Sequence, residues 1–167
     1  MSGNGKSQPM ATSSSPRPAP RLLRKLVGIG VALIVAWRVS LMLFGTQPTV
    51  GLVGGNLRPC PSSPNCVCSQ DEDAGHNIAP LPFADSPREA WDRLHDLVVK
   101  LPRTRVVSRD ERYLHVEFTS LRMRFVDDVE FLLDESASLI HVRSASRVGH
   151  SDLGANRKRI EALRQQW

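Results

Sequence analysis

The sequence predicts an α+β fold in which an antiparallel sheet of about four strands carries helices on one face. Two segments, residues 86–102 and 151–167, repeat apolar residues at the three- and four-residue spacing of a helix. Between them, three segments alternate apolar and polar residues, and the links joining these segments are short enough for hairpins. The order of a helix, several strands and a second helix is typical of an antiparallel sheet packed against helices.

An apolar run precedes this domain. Residues 1–25 are predicted to be a disordered basic tail, because Ser, Pro, Gly and Ala predominate and bury too little surface to order the chain. Residues 26–44 are 19 residues with a single charge, Arg38. A helix of that length spans about 28 Å, close to the hydrocarbon thickness of a bilayer. We therefore expect a transmembrane helix over residues 26–44, a linker over 45–55 and a domain over 56–167.

The charges flanking the apolar run predict its orientation. Before residue 88, only Arg58 is basic after the run, whereas four basic residues precede it closely: Arg17, Arg21, Arg24 and Lys25. The positive-inside rule then predicts a single-pass protein of the bacterial inner membrane with a cytoplasmic N-terminus and a periplasmic domain. The alternative is a cleaved signal peptide with its apolar region at residues 26–37. No small-x-small cleavage site follows that region, which favours the anchor.

The distribution of charge argues against nucleic-acid binding. The first 70 residues hold seven of the 22 basic residues and none of the 17 acidic ones, so residues 71–167 carry a net charge of −2. A nucleic-acid-binding domain carries its positive charge on the surface that contacts phosphates. The excess of positive charge here belongs to the leader, and we expect no nucleic-acid partner.

The first helix of the domain has clear boundary signals. Ser86 and Glu89 form a capping box, Pro87 suits the first helical position, and Pro102 ends the helix. Its apolar stripe comprises Ala90, Trp91, Leu94, Leu97, Val98 and Leu101. Residues 56–85, which precede it, show no periodicity and are predicted to be an ordered loop.

Three strands and a second helix follow a short segment, residues 104–110. The apolar phases of the strands are Leu114, Val116 and Phe118, then Val129, Phe131 and Leu133, then Ile140 and Val142. The last helix is predicted to begin at Ser151 or Asp152, with one face formed by Leu153, Asn156, Ile160, Leu163 and Trp167.

Two motifs in the domain resemble those of a family catalogued as a domain of unknown function, DUF1499. They are LRPCPSSPNCVCSQ, starting at Leu57, and IHVRSASRVGHSDLGANRKR, starting at Ile140. The resemblance covers residues 51–167, and it implies an exported or membrane-anchored protein without an assigned activity. The family pattern has serine where this chain has Cys68.

The three cysteines allow three interpretations. Cys60 and Cys66 favour a disulfide that closes a proline-stiffened loop in an oxidising compartment, which would leave Cys68 free. A metal site formed with His76 is the second interpretation, although the Cys-x5-Cys-x-Cys spacing lacks the paired ligands of structural zinc sites. The third is a reactive thiol. We expect no metal and no cofactor.

The polar face of the sheet is a candidate ligand surface. If Phe131 lies opposite both Val142 and Val116, then Glu117, Glu130 and Arg143 form one cross-strand row, and His115, Leu132 and His141 form the next. This face either binds a polar ligand or is a solvated surface. Asp127 lies in the apolar phase and is expected to be buried beside Arg147, Ser144 or Ser146. Because Asp127 and Asp128 point to opposite faces, they cannot hold one cation together.

The segment from residue 143 to residue 159 is the densest group of polar residues. Arginines beside a glycine-flanked helix start are suited to binding an anion, such as a phosphate headgroup or a carboxylate. The alternative is a structural network of caps and ion pairs. The candidate binding residues are Arg143, Ser144, Ser146, Arg147, Ser151, Asp152, Asn156 and Arg157.

Two functions follow from these patterns. The first is a membrane-anchored, outward-facing accessory or ligand-binding domain whose partner is a small anionic ligand, a lipid headgroup or an envelope protein. The second is a small thiol-dependent or hydrolytic enzyme of the cell envelope, with Cys66 or Cys68 as nucleophile and His76, His115 or His141 as base. None of the common hydrolase motifs occurs in the sequence.

Overall fold

The computed structural model describes residues 21–43 and 49–167, which form two compact units divided between Phe44 and Gly45. The described residues of the first unit form the helix α1 (Arg21–Leu43). Among the described residues, no helix is both long and apolar enough to cross a membrane. Phe44, the last residue of the predicted transmembrane helix, lies outside the described residues.

The second unit is an α+β domain built on a large antiparallel sheet. Its elements in chain order are β1 (Leu52–Val53), β2 (Asn56–Leu57), β3 (Cys66–Cys68), β4 (Leu81–Pro82), α2 (Pro87–Lys100), β5 (Thr104–Arg109), β6 (Tyr113–Thr119), β7 (Val126–Asp134), β8 (Leu139–Ser146) and α3 (Ala155–Arg164). The main sheet has the order β3-β8-β7-β6-β5, and β4 also pairs with β8. The strands β1 and β2 form a separate pair.

The predicted fold class is confirmed, but the sheet is larger than four strands. The extra strands β3 and β4 lie in residues 56–85, which we expected to be a loop. Both are short, at three and two residues, and both pair with β8. Segments of that length show no sequence periodicity, and their strand conformation depends on a partner that is distant in the sequence.

Both domain helices pack on the same face of the sheet, which we call the helix face. The helix α2 begins at the predicted capping box of Ser86 and Glu89 and buries four residues of its apolar stripe. The helix α3 buries Ile160 and Leu163 in the same core. The strands contribute Leu114, Val116, Val129, Phe131, Leu133, Ile140 and Val142.

The last helix starts later than predicted. Leu153 precedes it with φ 54° and is 87% exposed, so it does not belong to the apolar face. Asp152 nevertheless stabilises the helix start, because its carboxylate accepts hydrogen bonds from the Gly154 and Asn156 N–H groups at 2.9 and 2.7 Å.

The strand register differs from the predicted one by two residues in β6. Phe131 pairs with Val142, as predicted, but its partner in β6 is Leu114 and not Val116. His115 therefore shares a row with Glu130 and Arg143, while Glu117 shares a row with Asp128 and Ala145. A two-residue shift keeps every side chain on its own face, so alternation alone does not reveal it.

Candidate functional site: a buried charged cluster beside a cavity

The second face of the sheet, opposite the helix face, is buried over much of β7 and β8. Residues 49–61, which we call the cover segment, lie over it. Leu57 of this segment packs with Cys68 and Leu132 in a small apolar cluster that Cys60 and Tyr113 extend. Where the cover segment lies over the sheet, the alternative of a solvated polar face is wrong, because the polar groups there are covered by chain that we expected to be partly linker.

Four charged or titratable side chains on this face are almost fully buried: His115, Asp128, Glu130 and Arg143. Their neighbours along the strands lie on the helix face, so the two-residue period of a strand directs all four side chains to the second face. Buried charges require partners. Hydrogen bonds join these groups and their neighbours into two clusters, one around Glu130 and one around Arg147.

The first cluster is centred on Glu130, whose side chain has no exposed surface. Arg143 Nη1 donates to Glu130 Oε2 at 2.7 Å. The Tyr113 hydroxyl and the Gly51 N–H donate to Glu130 Oε1 at 2.7 and 2.6 Å. Burial, followed by the contact with the Glu130 carboxylate, raises the pKa of Tyr113 above its ordinary value, so Tyr113 keeps its proton and remains a donor.

The second cluster joins two carboxylates through one arginine. Arg147 donates through Nε and Nη2 to the two oxygens of Asp128, at 2.8 and 2.7 Å, and through Nη2 to Glu117 Oε1 at 2.5 Å. His115 Nε2 lies 2.7 Å from Asp128 Oδ1. Arg105 binds the other oxygen of Glu117. This arrangement holds Arg147 in a fixed orientation.

These contacts outweigh the cost of burial for both carboxylates. Burial acts to raise the pKa of Asp128, but the hydrogen bonds from Arg147 and His115 lower it below the usual range. Burial also opposes ionisation of Glu117, and its pKa is likewise lowered by Arg147 and Arg105. The same carboxylates raise the pKa of Arg147, Asp128 first. Asp128, Glu117 and Arg147 are therefore ionised at neutral pH.

A cavity of about 290 Å³ lies between the cover segment and the end of the sheet. The cover segment contributes Thr49, Pro59, Cys60 and Pro61. The sheet side contributes Asp128, Arg143, Ala145, Ser146 and Arg147. Such a volume lies at the lower end of the range for small-molecule sites. Two guanidinium groups and a partly apolar wall make it suitable for a small ligand with a negatively charged group.

Arg143 has hydrogen-bonding capacity that the described residues do not use. Its side chain is 2% exposed and pairs with Glu130 through Nη1. Its Nε is buried, and no described residue accepts a hydrogen bond from it. An unpaired buried donor costs on the order of 1–3 kcal/mol, so its presence beside a cavity is a signal for a missing acceptor.

The predicted binding residues divide between the two faces. Only Arg143, Ser146 and Arg147 line the cavity. Ser144 and Asn156 lie on the helix face, where Ser144 Oγ donates to Asn156 Oδ1 at 2.5 Å. Asn156 Nδ2 donates to the Asn65 carbonyl, the Ser146 hydroxyl and the Asp152 carboxylate. This group is the structural network that we considered as the alternative to an anion site.

The structure also tests what we predicted for Asp127, Arg157 and Ser151. Asp127 is buried, as expected, but its partner is Arg159 and not Arg147. Arg157 donates to the Asn77 and Gly75 carbonyls, away from the cavity. Ser151 accepts a hydrogen bond from the Leu153 N–H in an exposed loop. The structure therefore does not bring Ser151 or Arg157 to the cavity.

The cysteines form the disulfide that we predicted, between Cys60 and Cys66. Cys68 is free and fully buried, and burial raises the pKa of its thiol. A nucleophilic cysteine requires an accessible thiolate. His76 Nδ1 lies 2.9 Å from the Cys66 carbonyl oxygen, a contact with backbone and not with a thiol. Within the described residues, no three His, Cys, Asp or Glu side chains are placed to hold a metal ion.

His141 has polar contacts that the sequence did not predict. Its Nδ1 lies 3.2 Å from Ser69 Oγ, and its Nε2 lies 3.8 Å from Asp134 Oδ2. Ser69 Oγ also accepts a hydrogen bond from the Val142 N–H at 2.9 Å, which continues the pairing of β3 with β8 beyond Cys68. Ser69 therefore has a structural role, because its hydroxyl extends the hydrogen bonding between β3 and β8.

The sequence did not single out three residues that complete the charged face: Thr49, Gly51 and Tyr113. Thr49 and Gly51 lie in the predicted linker, where nothing in the local sequence indicates that Thr49 lines a cavity or that Gly51 bonds to a buried glutamate. Tyr113 precedes the predicted apolar phase of its strand. Its polarity and its position in phase with His115 were a usable signal for the second face.

The fold and this face define a small antiparallel α+β domain with a buried charged cluster. A family model described as a protein of unknown function (DUF1499) matches residues 56–167, and the chain belongs to that family. The match confirms the resemblance found in the sequence. No curated protein and no solved structure is significantly similar to the chain.

Proposed function

We propose that the domain binds a small anionic ligand in the cavity beside Arg143. The observation that carries this proposal is the buried Nε of Arg143, which has no acceptor among the described residues although the side chain lines a cavity. An oxygen of a carboxylate or of a phosphate group is the acceptor that this guanidinium lacks. Glu130 holds Arg143 from the opposite side, which preorganises the site.

The charge of the cavity favours a ligand with a single negative charge. Arg143 and Arg147 are already paired with Glu130, Asp128 and Glu117. A doubly charged phosphate monoester would carry more negative charge than the cavity wall balances, because the charged residues of that wall are Arg143, Arg147 and the Asp128 carboxylate. A carboxylate or a phosphate diester carries one negative charge and still offers two acceptor oxygens to a guanidinium group. Pro59, Pro61 and Ala145 can contact an apolar part of such a ligand.

The substitution Arg143→Lys tests this site with limited disturbance of the fold. Lysine keeps the charge beside Glu130 but lacks Nε and the planar arrangement of donors, so we expect at least a tenfold loss of ligand affinity. The measurement is the shift in melting temperature of the full chain in detergent with acetate, benzoate, dimethyl phosphate and inorganic phosphate. Arg157→Lys, which alters an arginine away from the cavity, is the matched control.

The responses of the two variants to the anions distinguish binding in the cavity from binding elsewhere. Stabilisation by monoanions that Arg143→Lys loses and Arg157→Lys keeps supports the cavity as the site. Equal responses of both variants mean that any anion binds elsewhere, and stabilisation by inorganic phosphate alone contradicts the single-charge argument.

We also propose that the N-terminal helix anchors the chain in a bacterial inner membrane with the domain on the periplasmic side. The support comes from the apolar sequence of residues 26–44, the basic residues before it, and a disulfide suited to an oxidising compartment. The anionic ligand would then be an envelope metabolite or a lipid headgroup. A thiol enzyme is the weaker candidate, because Cys66 is in a disulfide and Cys68 is buried.

A further inference from the structure

Three connections meet at one end of the main sheet. They are the link between α2 and β5 (residues 101–103), the turn between β6 and β7 (residues 120–125) and the loop between β8 and α3 (residues 147–154). The Thr119 N–H donates to the Arg103 carbonyl at 2.9 Å, and the Arg147 N–H donates to the Val126 carbonyl at 3.3 Å. These bonds join the connections into one surface, which we call the loop end.

The loop end exposes large apolar side chains. Leu121 is 69% exposed, Met123 is 42% exposed and Leu153 is 87% exposed. Single exposed apolar residues are common on soluble proteins, but here they lie at the tips of adjacent connections. Leu153 has φ 54°, a backbone conformation that favours glycine. Hydrogen bonds to Ser151 and Asp152 fix the loop in the shape that holds Leu153 outward.

The same surface carries positive charge that the described part of the chain does not neutralise. Arg122 and Arg124 are exposed, and neither forms an ion pair with a described residue. Arg103 lies beside them and donates to the Thr119 carbonyl. The acidic residue of the loops, Asp152, is occupied by the start of α3. Since residues 71–167 have a net charge of −2, this positive end contrasts with the rest of the domain.

We infer that the loop end docks on an anionic lipid bilayer. In this arrangement Leu121 and Leu153 enter the interface between headgroups and acyl chains, while Arg122 and Arg124 contact lipid phosphates. Apolar tips flanked by arginines combine the two interactions that hold peripheral surfaces on membranes. Thr49, the first described residue of the domain, lines the cavity with Ser146 and Arg147, so the described domain begins at this same end.

A fluorescent label at residue 153 reports the docking. The substitution Leu153→Cys adds the one accessible thiol of the described residues, because Cys60 and Cys66 form the disulfide and Cys68 is buried. The full chain, labelled with an environment-sensitive dye, is reconstituted into nanodiscs of phosphatidylcholine with or without phosphatidylglycerol. We expect a shift of the emission to shorter wavelength and a loss of acrylamide quenching in the anionic discs only.

Two controls test the position and the charge. The same dye at Val107→Cys, on the edge strand β5 and 43% exposed, should respond equally to both kinds of disc. Adding Arg122→Glu and Arg124→Glu to Leu153→Cys should abolish the shift while circular dichroism shows an unchanged fold. Equal quenching at residue 153 in both discs, or an unchanged shift after charge reversal, overturns the inference.

Failure of the anchor remains distinguishable from failure of the docking. If the labelled chain does not enter nanodiscs, the proposed anchor is wrong, and the same chain is mixed with preformed phosphatidylglycerol vesicles. An emission shift that 0.5 M salt reverses then supports the docking, since salt screens the attraction of exposed arginines to the surface. No shift with these vesicles overturns it. Neither result depends on the ligand in the cavity.

Discussion

Glu130 and Arg143 illustrate how single residues behave on the second face of the sheet. Three donors satisfy the Glu130 carboxylate, one of them from the backbone of Gly51. Removing one partner of such a pair costs about 3–5 kcal/mol, because the other charge stays buried. Arg143 therefore serves the fold and the cavity together, and only a substitution that keeps its charge separates the two roles.

Asp128 provides a test of the second cluster through pH. Its pKa is lowered in the folded state, so the unfolded state binds more protons in the range below the ordinary value near 4. The stabilisation from the Asp128 carboxylate is thus fully present above about pH 4 and is lost as the pH falls. We expect Asp128→Asn to cost about 3 kcal/mol at pH 7 and less at pH 3, with the cost falling as the pH decreases below about 4, measured by urea unfolding.

The control for this prediction is Asp96→Asn on the exposed side of α2, where the side chain is 69% exposed. Its effect should stay within about 0.5 kcal/mol at both pH values. A cost for Asp128→Asn that is the same at pH 7 and pH 3 would contradict the assigned role of the carboxylate.

Among the elements, the short strand β3 determines where the cysteine motif lies on the sheet. It pairs Cys66 with Ala145 and Cys68 with Arg143, so both cysteines face the second face of the sheet. The disulfide to Cys60 then fixes the cover segment above the charged clusters, and Pro59, Cys60 and Pro61 become a wall of the cavity. A three-residue strand thereby connects the cysteine motif to the candidate ligand site.

The thiols of this element can be counted directly. Without reductant, we expect one reactive thiol per chain after unfolding, that of Cys68. In the native protein it should react with a disulfide reagent more slowly than free cysteine, because burial excludes the reagent and raises the pKa of the thiol. The measurement is the rate and the extent of absorbance change with and without denaturant.

Treatment with a reductant before unfolding is the control, and it should raise the count to three thiols. Three thiols without reductant would remove the disulfide from the native protein. A native reaction faster than that of free cysteine would instead restore the thiol-enzyme hypothesis.

At the scale of the whole molecule, the chain combines an apolar N-terminal segment with a domain whose sheet is covered on the helix face and, over β7 and β8, on the second face. The helix face packs on α2 and α3, and the second face packs under the cover segment. Two regions of the described domain are our candidates for contact with other molecules: the cavity beside Arg143 and the loop end. Both lie where β7 begins and β8 ends.

Alkaline carbonate extraction tests the proposed anchor on the full chain. We expect the chain to remain in the membrane pellet at full length, because residues 26–44 bury enough apolar surface to resist removal. The double substitution Leu33→Asp and Ile34→Asp should release it, since each carboxylate near the centre of the apolar run costs several kcal/mol in a bilayer. Release of the unmodified chain, whether intact or shortened by signal cleavage, would contradict the anchor.

The sequence by itself determined the local features of this protein. The helical spacing and the capping box predicted α2, alternation predicted β6, β7 and β8, and two motifs identified the family. The cysteine pair also predicted the disulfide. Each of these depends on residues close together in the chain or on a pattern that recurs among relatives.

Only the tertiary structure decided which distant groups meet. The two-residue shift of β6 brings His115 beside Glu130, and the cover segment supplies Gly51 and Thr49 to a face that we expected to be open. Alternation assigns a side chain to a face but not to a row, and nothing local marks a linker residue as the partner of a buried carboxylate. Asp128 pairs with Arg147, which lies beyond the end of β8, and Asp127 pairs with Arg159 of α3. The second pairing depends on where α3 packs on the sheet, which no local pattern predicts.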